Sequence, residues 1–207
     1  MKRKINCLCE NYFEVEVPEE INLDSGDGCF DEIQNGTFMS FKCTSCGKKL
    51  KPEFLLTVLW PSKNLHFEVF PELDRGEFYR RKKESEGKKS IETIIGYPEL
   101  ADRLAVIRDG FEPAPIEAIK YFLHLKAEEQ YPESELDIWY HSSTPDAIEF
   151  HIHGIREQES AVIKVPMSLY QKNLDDYKKN PGGEIFAALR VRGYLSVKNT
   201  MRDEALK

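Results

Sequence analysis

Four of the chain's five cysteines fall into two close pairs, Cys7-Leu8-Cys9 and Cys43-Thr44-Ser45-Cys46. Four thiolates are a favoured tetrahedral set for zinc, and a Cys-x-x-Cys half-site is its commonest building block. After Cys46, Gly47 permits a positive φ, so backbone N–H groups can turn toward the sulfurs in a knuckle. Zinc with four thiolates carries a formal charge of about −2, and Lys42, Lys48 and Lys49 beside the second pair would offset part of it. Cys7-x-Cys9 is tighter by one residue and makes a more constrained chelate ring. Close cysteine pairs in a reducing compartment read as metal ligands or redox groups before they read as disulfides. The expectation is a structural zinc ion on Cys7, Cys9, Cys43 and Cys46, with no catalytic residue and no other cofactor. Cys29 is expected as a buried helix residue.

A second group of residues could do chemistry in the C-terminal part. Strand side chains alternate, so Leu136, Ile138 and Tyr140 share one face of a strand, and Ile148, Phe150 and Ile152 share one face of another. Matching these apolar sets across an antiparallel pair puts Asp137, Trp139, His141, Glu149, His151 and His153 together on the opposite surface. Three imidazoles and two carboxylates could bind metal or carry acid–base chemistry. The simpler expectation is a solvated sheet face, because alternation alone does not make side chains converge.

These residues need elements to hold them. Tyr12–Val17 alternates polar and apolar residues as a half-buried strand does, and Pro18 ends it. Asp24–Gly28 is a turn cluster, Cys29–Asn35 a short helix with Gly36 suited to its left-handed end, and Thr37–Lys42 a strand leading into Cys43. Phe54–Trp60 and Leu65–Phe70 form an antiparallel hairpin through Pro61–Asn64. The charged stretch from about Asp74 to Ser90 reads as a solvated loop. One helix opens at Pro98 and ends at Gly110. A second opens at Pro115, with Ile116, Ile119, Phe122 and Leu123 on its core side. After a junction at Gln130–Ser134 come strands over Leu136–His141, Ile148–Ile155 and Ala161–Val165. A helix follows, with Ser168 and Gln171 as its capping box. The type of the last element, Ile185–Val197, stays open. The fold class is α+β: a zinc-ribbon-like antiparallel N-terminal part with two following helices over residues 1–130, and a small α+β part over 131–207.

Of the 207 residues 41% are hydrophobic, with 12 Phe and 9 Tyr, which is enough for a packed core. A net charge of −7 argues against a partner that is nucleic acid. No apolar run reaches the roughly 20 residues of a membrane span. The start Met-Lys-Arg-Lys-Ile-Asn-Cys lacks the apolar stretch of a secretory signal, so the cytoplasm is expected.

The pattern Ile5-Asn-Cys-Leu-Cys9, Phe13-Glu-Val15, Asn35-Gly36, Phe41-Lys-Cys-Thr-Ser-Cys-Gly47 and the hairpin after it resembles the CpXC domain of bacterial proteins. The Asp109-Gly110 step extends the resemblance over residues 1–128. It implies zinc held through two Cys-Pro-x-Cys-like motifs, here Cys7, Cys9, Cys43 and Cys46, and it implies no activity. Leu8 and Thr44 replace the motif prolines. Glu10 stands where the family has Gly, and the first pair is one residue short. Three functional readings follow. The first is a non-catalytic, zinc-stabilised module that binds an unknown protein partner. The second is a thiol redox sensor that releases zinc on oxidation, as in the zinc centre of the bacterial redox-switched holdase chaperone, which the Cys-x-Cys and Cys-x-x-Cys pairing resembles. The third is a metal-dependent enzyme on the His141, His151 and His153 face.

Overall fold

A computed structural model describes residues 1–80, 91–132, 134–156 and 159–201. Its contacts divide the chain into two compact units, Met1–Ala101 and Asp102–Lys207. The fold is α+β, with antiparallel strands at the N-terminus followed by helices.

The first unit begins with an antiparallel hairpin of β1 (Lys2–Asn6) and β2 (Tyr12–Glu16). The register sets Lys2 opposite Glu16 and Lys4 opposite Glu14, two opposite-charge pairs that favour this pairing. Ile5 and Val15 are its buried residues. Next come β3 (Glu20–Asn22) and α1 (Cys29–Gln34), then a short antiparallel pair of β4 (Phe41–Lys42) and β5 (Lys49–Leu50). β6 (Leu56–Trp60) and β7 (Leu65–Phe70) form the expected antiparallel hairpin, joined by a 3₁₀ turn at Pro61–Lys63. β3 pairs parallel to β6, and β7 pairs parallel to β8 (Glu92–Ile95). A parallel pair needs a long crossover. The crossover from β3 to β6 is the stretch that carries the second cysteine pair. Leu56, Val58, Phe67, Val69, Ile94 and Ile95 fill the core of this mixed sheet.

α2 (Arg75–Arg80) lies between β7 and β8, and α3 (Tyr97–Arg108) runs through the boundary between the units. The second unit continues with α4 (Pro113–Gln130) and an antiparallel sheet in the order β11-β10-β9. Its strands are β9 (Asp137–Ser143), β10 (Ala147–Arg156) and β11 (Glu159–Pro166). After them come α5 (Met167–Lys179), α6 (Glu184–Ala188) and a small antiparallel pair of β12 (Arg190–Val191) and β13 (Tyr194–Leu195). One core cluster joins the inner sheet residues Ile138, Tyr140, Ile148, Phe150, Ile152 and Val165 to Ile116 and Ile119 of α4. A second gathers Ala114, Ala118, Phe186, Leu189, Leu195 and Val197.

α4 also buries an ionic network. Lys120 is paired with Asp102 and, at 2.8 Å, with Glu117. Asp102 accepts the Tyr140 N–H at 2.6 Å, Glu117 accepts the Val197 N–H at 2.7 Å, and Arg103 donates to the Leu195 carbonyl at 2.6 Å. Buried charges survive only when paired and hydrogen-bonded in this way.

Several expectations are corrected. Thr37–Ser40 is a turn, with Met39 at φ 52°, so only Phe41–Lys42 of the expected strand pairs. Arg75–Arg80 is helical where a loop was expected, and the rest of that charged stretch, residues 81–90, lies outside the described residues. The second helix starts at Pro113 rather than Pro115. On that helix Phe122 is 46% exposed while Lys120 is buried, because α4 is enclosed on nearly all sides over Ala114–Lys120. There is no capping box on α5: its N-cap is Pro166 and makes no side-chain bond, which leaves Ser168 inside the first turn. Ile185–Val197 resolves into α6, β12 and β13. The polar strand β1, the short β3 and the strand β8 were not anticipated.

Candidate metal centre

The two cysteine pairs occupy the turns of two hairpins. Cys7 and Cys9 lie between β1 and β2, and Cys43 and Cys46 between β4 and β5. In the second turn the Gly47 N–H donates to the Cys43 carbonyl at 2.9 Å, with Gly47 at φ 71°. In the first, the Glu10 N–H donates to the Cys7 carbonyl at 2.9 Å, and Glu10 itself holds φ 65°. Each hairpin closes behind its turn, through Cys7 N–H to the Asn11 carbonyl at 3.0 Å and Cys43 N–H to the Lys48 carbonyl at 2.9 Å. One residue shorter, the first pair therefore still makes a knuckle, with Glu10 in the backbone role of Gly47.

The knuckles face each other across the hairpins. Cys7 Sγ lies 3.6 Å from Cys46 Sγ, and Cys9 Sγ 3.6 Å from Cys43 Sγ. All four sulfurs fall within 4.8 Å of one another. A tetrahedron with metal–sulfur bonds of about 2.3 Å has edges of about 3.8 Å, so the four thiols could hold one metal ion. Cys7 and Cys43 are buried, whereas Cys9 and Cys46 are exposed. Cys29 is not part of the group. It is half-buried at the start of α1, rather than fully buried as expected.

The electrostatics fit a cation. The Cys46 amide pointing at Cys43 lowers that thiol to about 6 against desolvation, with the Ser45 amide, the Asn11 side chain and the Cys9 thiol adding to the effect. At Cys7 the Cys9 amide also acts to lower, but burial and the thiols of Cys9, Cys43 and Cys46 outweigh it and push Cys7 up to about 11. The Cys43 thiolate thus forms readily, and Cys7 then holds its proton unless a cation compensates. The β4–β5 register sets Lys42 directly opposite Lys49. Like charges in that position repel, and an anionic metal–thiolate centre beside them would relieve the cost. Asn11, which sequence reasoning overlooked, ties the knuckles together: its Nδ2 donates to Thr44 Oγ1 at 3.0 Å and to Cys43 Sγ at 3.6 Å. Its place directly after the Cys7–Glu10 turn, matching Lys48 after Gly47, was the available signal.

The sheet face of the second unit divides the predicted histidines. His141 and His151 stack, with ring centroids 3.9 Å apart and planes 14° from parallel. His151 Nε2 is 3.2 Å and His141 Nε2 3.9 Å from Glu149 Oε1. These three groups lie within 4.8 Å of one another. His153 shares the face but not the group; its Nδ1 is 3.4 Å from Ser160 Oγ. Among the described residues no helix is long and apolar enough to cross a membrane.

The model of the CpXC protein family matches residues 5–120. An uncharacterised protein of Treponema pallidum (strain Nichols) is 30% identical over 218 residues, spanning 97% of this chain and 99% of its own length. No solved structure matches the chain. The match over more than half of its length places the chain in the CpXC family.

Proposed function

We propose that this member of the CpXC family holds one structural zinc ion on Cys7, Cys9, Cys43 and Cys46 and acts, without catalysis, as a cytoplasmic interaction module for a protein partner. The observation that carries the reading is the convergence of four sulfurs from two hairpin turns at 3.6 Å. Zinc suits a tetrathiolate, and four protein ligands complete its tetrahedron, so no position is left for a substrate. A metal at this point fastens the β1–β2 hairpin to the crossover between β3 and β6, and its binding energy becomes folding energy. Leu8, 82% exposed at the tip of the first knuckle, gives a partner an apolar contact beside the metal. The net charge of −7 favours a protein over nucleic acid.

Elemental analysis of the purified chain should find zinc that is lost in Cys43→Ser. A strong chelator should abolish cooperative unfolding of the metal-bearing unit. Folding that neither treatment alters would sink the structural role, and salt-sensitive binding to DNA would reverse the partner class.

A second reading has one observation of its own. Cys9 and Cys46 are exposed, each 3.6 Å from a buried thiol of the other knuckle. Peroxide can therefore take two electrons from a thiolate pair, joining the sulfurs and releasing the ion. Zinc that stays bound, with every thiol reduced after peroxide treatment, would eliminate the sensor.

A further inference from the structure

We propose that His141, Glu149 and His151 form a second metal site, on the outer face of the β9–β11 sheet, for a divalent first-row transition ion such as Zn²⁺, Co²⁺ or Ni²⁺. The site shares no residue with the cysteine centre and stands independently of it.

Backbone register makes the site. Along β10 and β9, Ile152 pairs with Ile138, His151 with Trp139 and Phe150 with Tyr140, but Glu149 pairs with Ser142. His141 is thus the extra residue of a β-bulge. In an unbroken antiparallel ladder His141 would lie diagonal to His151, where neighbouring positions are about 7–8 Å apart. Bulges bend a strand and re-aim its side chains, and here the two rings meet at 3.9 Å. Both Nε2 atoms face the same carboxylate oxygen, Glu149 Oε1, at 3.2 and 3.9 Å. Metal–ligand bonds of about 2.0–2.1 Å in a tetrahedron put donors about 3.3 Å apart, so small rotations of the rings close the site. The parallel rings must make that rotation, since their lone pairs otherwise run side by side. His141 is 53% exposed at its side chain and His151 26%, which leaves room for it.

Lys164 completes the orientation. Its Nζ lies 3.7 Å from Glu149 Oε2, the other carboxylate oxygen, and so favours the orientation with Oε1 at the imidazoles. Such outer contacts commonly fix metal ligands. Two imidazoles and one carboxylate suit borderline ions. Three protein ligands also leave a coordination position open to water or a small anion. His153, held near Ser160, is not a ligand.

The test uses the untagged full chain with its cysteine centre loaded with zinc, titrated with Ni²⁺ and followed by calorimetry and tryptophan fluorescence. Trp139 lies directly opposite His151, so bound Ni²⁺ should quench it. One further equivalent should bind in the wild type and in His153→Ala. His141→Ala and His151→Ala should each weaken that equivalent by at least about tenfold. Glu149→Gln keeps size and hydrogen bonding and serves as a third variant, with circular dichroism checking that each variant folds. No further equivalent, or one that His141→Ala, His151→Ala and Glu149→Gln leave unchanged, would overturn the site. A loss of equal size in His153→Ala would overturn the assignment of ligands.

Discussion

Glu10 holds φ at 65° in the first knuckle, where the second knuckle places Gly47 at φ 71°. A left-handed conformation costs a residue with a Cβ roughly 1–2 kcal/mol, and glycine returns part of that as extra freedom in the unfolded chain. Glu10→Gly should therefore stabilise the first unit by about 0.5 kcal/mol, raising its melting temperature and slowing the loss of any metal held by the cysteines to a competing chelator. A lower melting temperature would mean that the Glu10 side chain contributes more than its backbone costs. Cys29 offers a second test at this scale. Desolvation first, then Asp27 and Glu32, push its thiol up to about 11. Below that value the group is a protonated thiol, so its alkylation should be slow at neutral pH and rise about tenfold per pH unit until about 11. Mass spectrometry after iodoacetamide treatment of chelated protein reads this directly, and labelling of Cys29 as fast as Cys9 would refute it. The grouping of the four cysteines was legible because each pair is local in sequence and the chemistry needs only sulfur at short spacing. Asn11, Lys42 and Lys49 were not, since their part depends on which hairpin strand faces which.

At the scale of elements, β10 depends on one glycine. Gly154 holds φ 93°, and a Cβ added there would lie 1.9 Å from the Glu135 carbonyl oxygen, a backbone atom that cannot step aside. It falls in the irregular stretch of β10 between Ile152 and Arg156. Gly154→Ala should destabilise the second unit by about 4 kcal/mol or more. Gly182→Ala, with no positive φ and its nearest neighbour at 3.9 Å, should stay within about 0.5 kcal/mol of wild type. Urea midpoints of the two variants make the comparison, and a mild effect at Gly154 would show that the Glu135 segment yields. Alternation in the sequence separated the two faces of this sheet correctly, because period-2 burial follows from strand geometry alone. It could not reveal the bulge that brings His141 onto His151 and leaves His153 apart. The apolar stripe on α4 failed for a related reason. A helix enclosed on most sides buries whatever can be satisfied, so Lys120 goes inside with Asp102 and Glu117 while Phe122 is exposed. The parallel pairings of β3 with β6 and β7 with β8 were also invisible, because nothing local marks a partner supplied by a crossover.

For the whole molecule, the open question is where independent folding begins and ends. A boundary at about residue 130, read from the Gln130–Ser134 junction, assigns α4 to the N-terminal part, whereas the contacts group it with the C-terminal strands. The inner face of the β9–β11 sheet consists of Ile138, Tyr140, Ile148, Phe150, Ile152 and Val165, and its core cluster includes Ala105, Val106, Ile116, Ile119 and Ala127. A fragment of residues 131–207 keeps the strands and loses every one of those five. It also loses Asp102 and Glu117, which accept the Tyr140 and Val197 N–H groups, and Lys120, which pairs with both carboxylates. A sheet stripped of the helices that cover it exposes its apolar face to water, at about 25 cal/mol for each Å² uncovered. Three strands with α5 and α6 then have too little to bury. The fragment 131–207 should show no cooperative urea transition and poor amide dispersion by NMR, while a fragment of 97–207, with α3 and α4 intact, should unfold cooperatively. A sharp transition in 131–207 would restore the boundary near 130 and give α4 to the cysteine-bearing part. Failure of both fragments would mean that the chain folds as one cooperative body, in which loss of a metal from the cysteines would destabilise the histidine-bearing sheet as well.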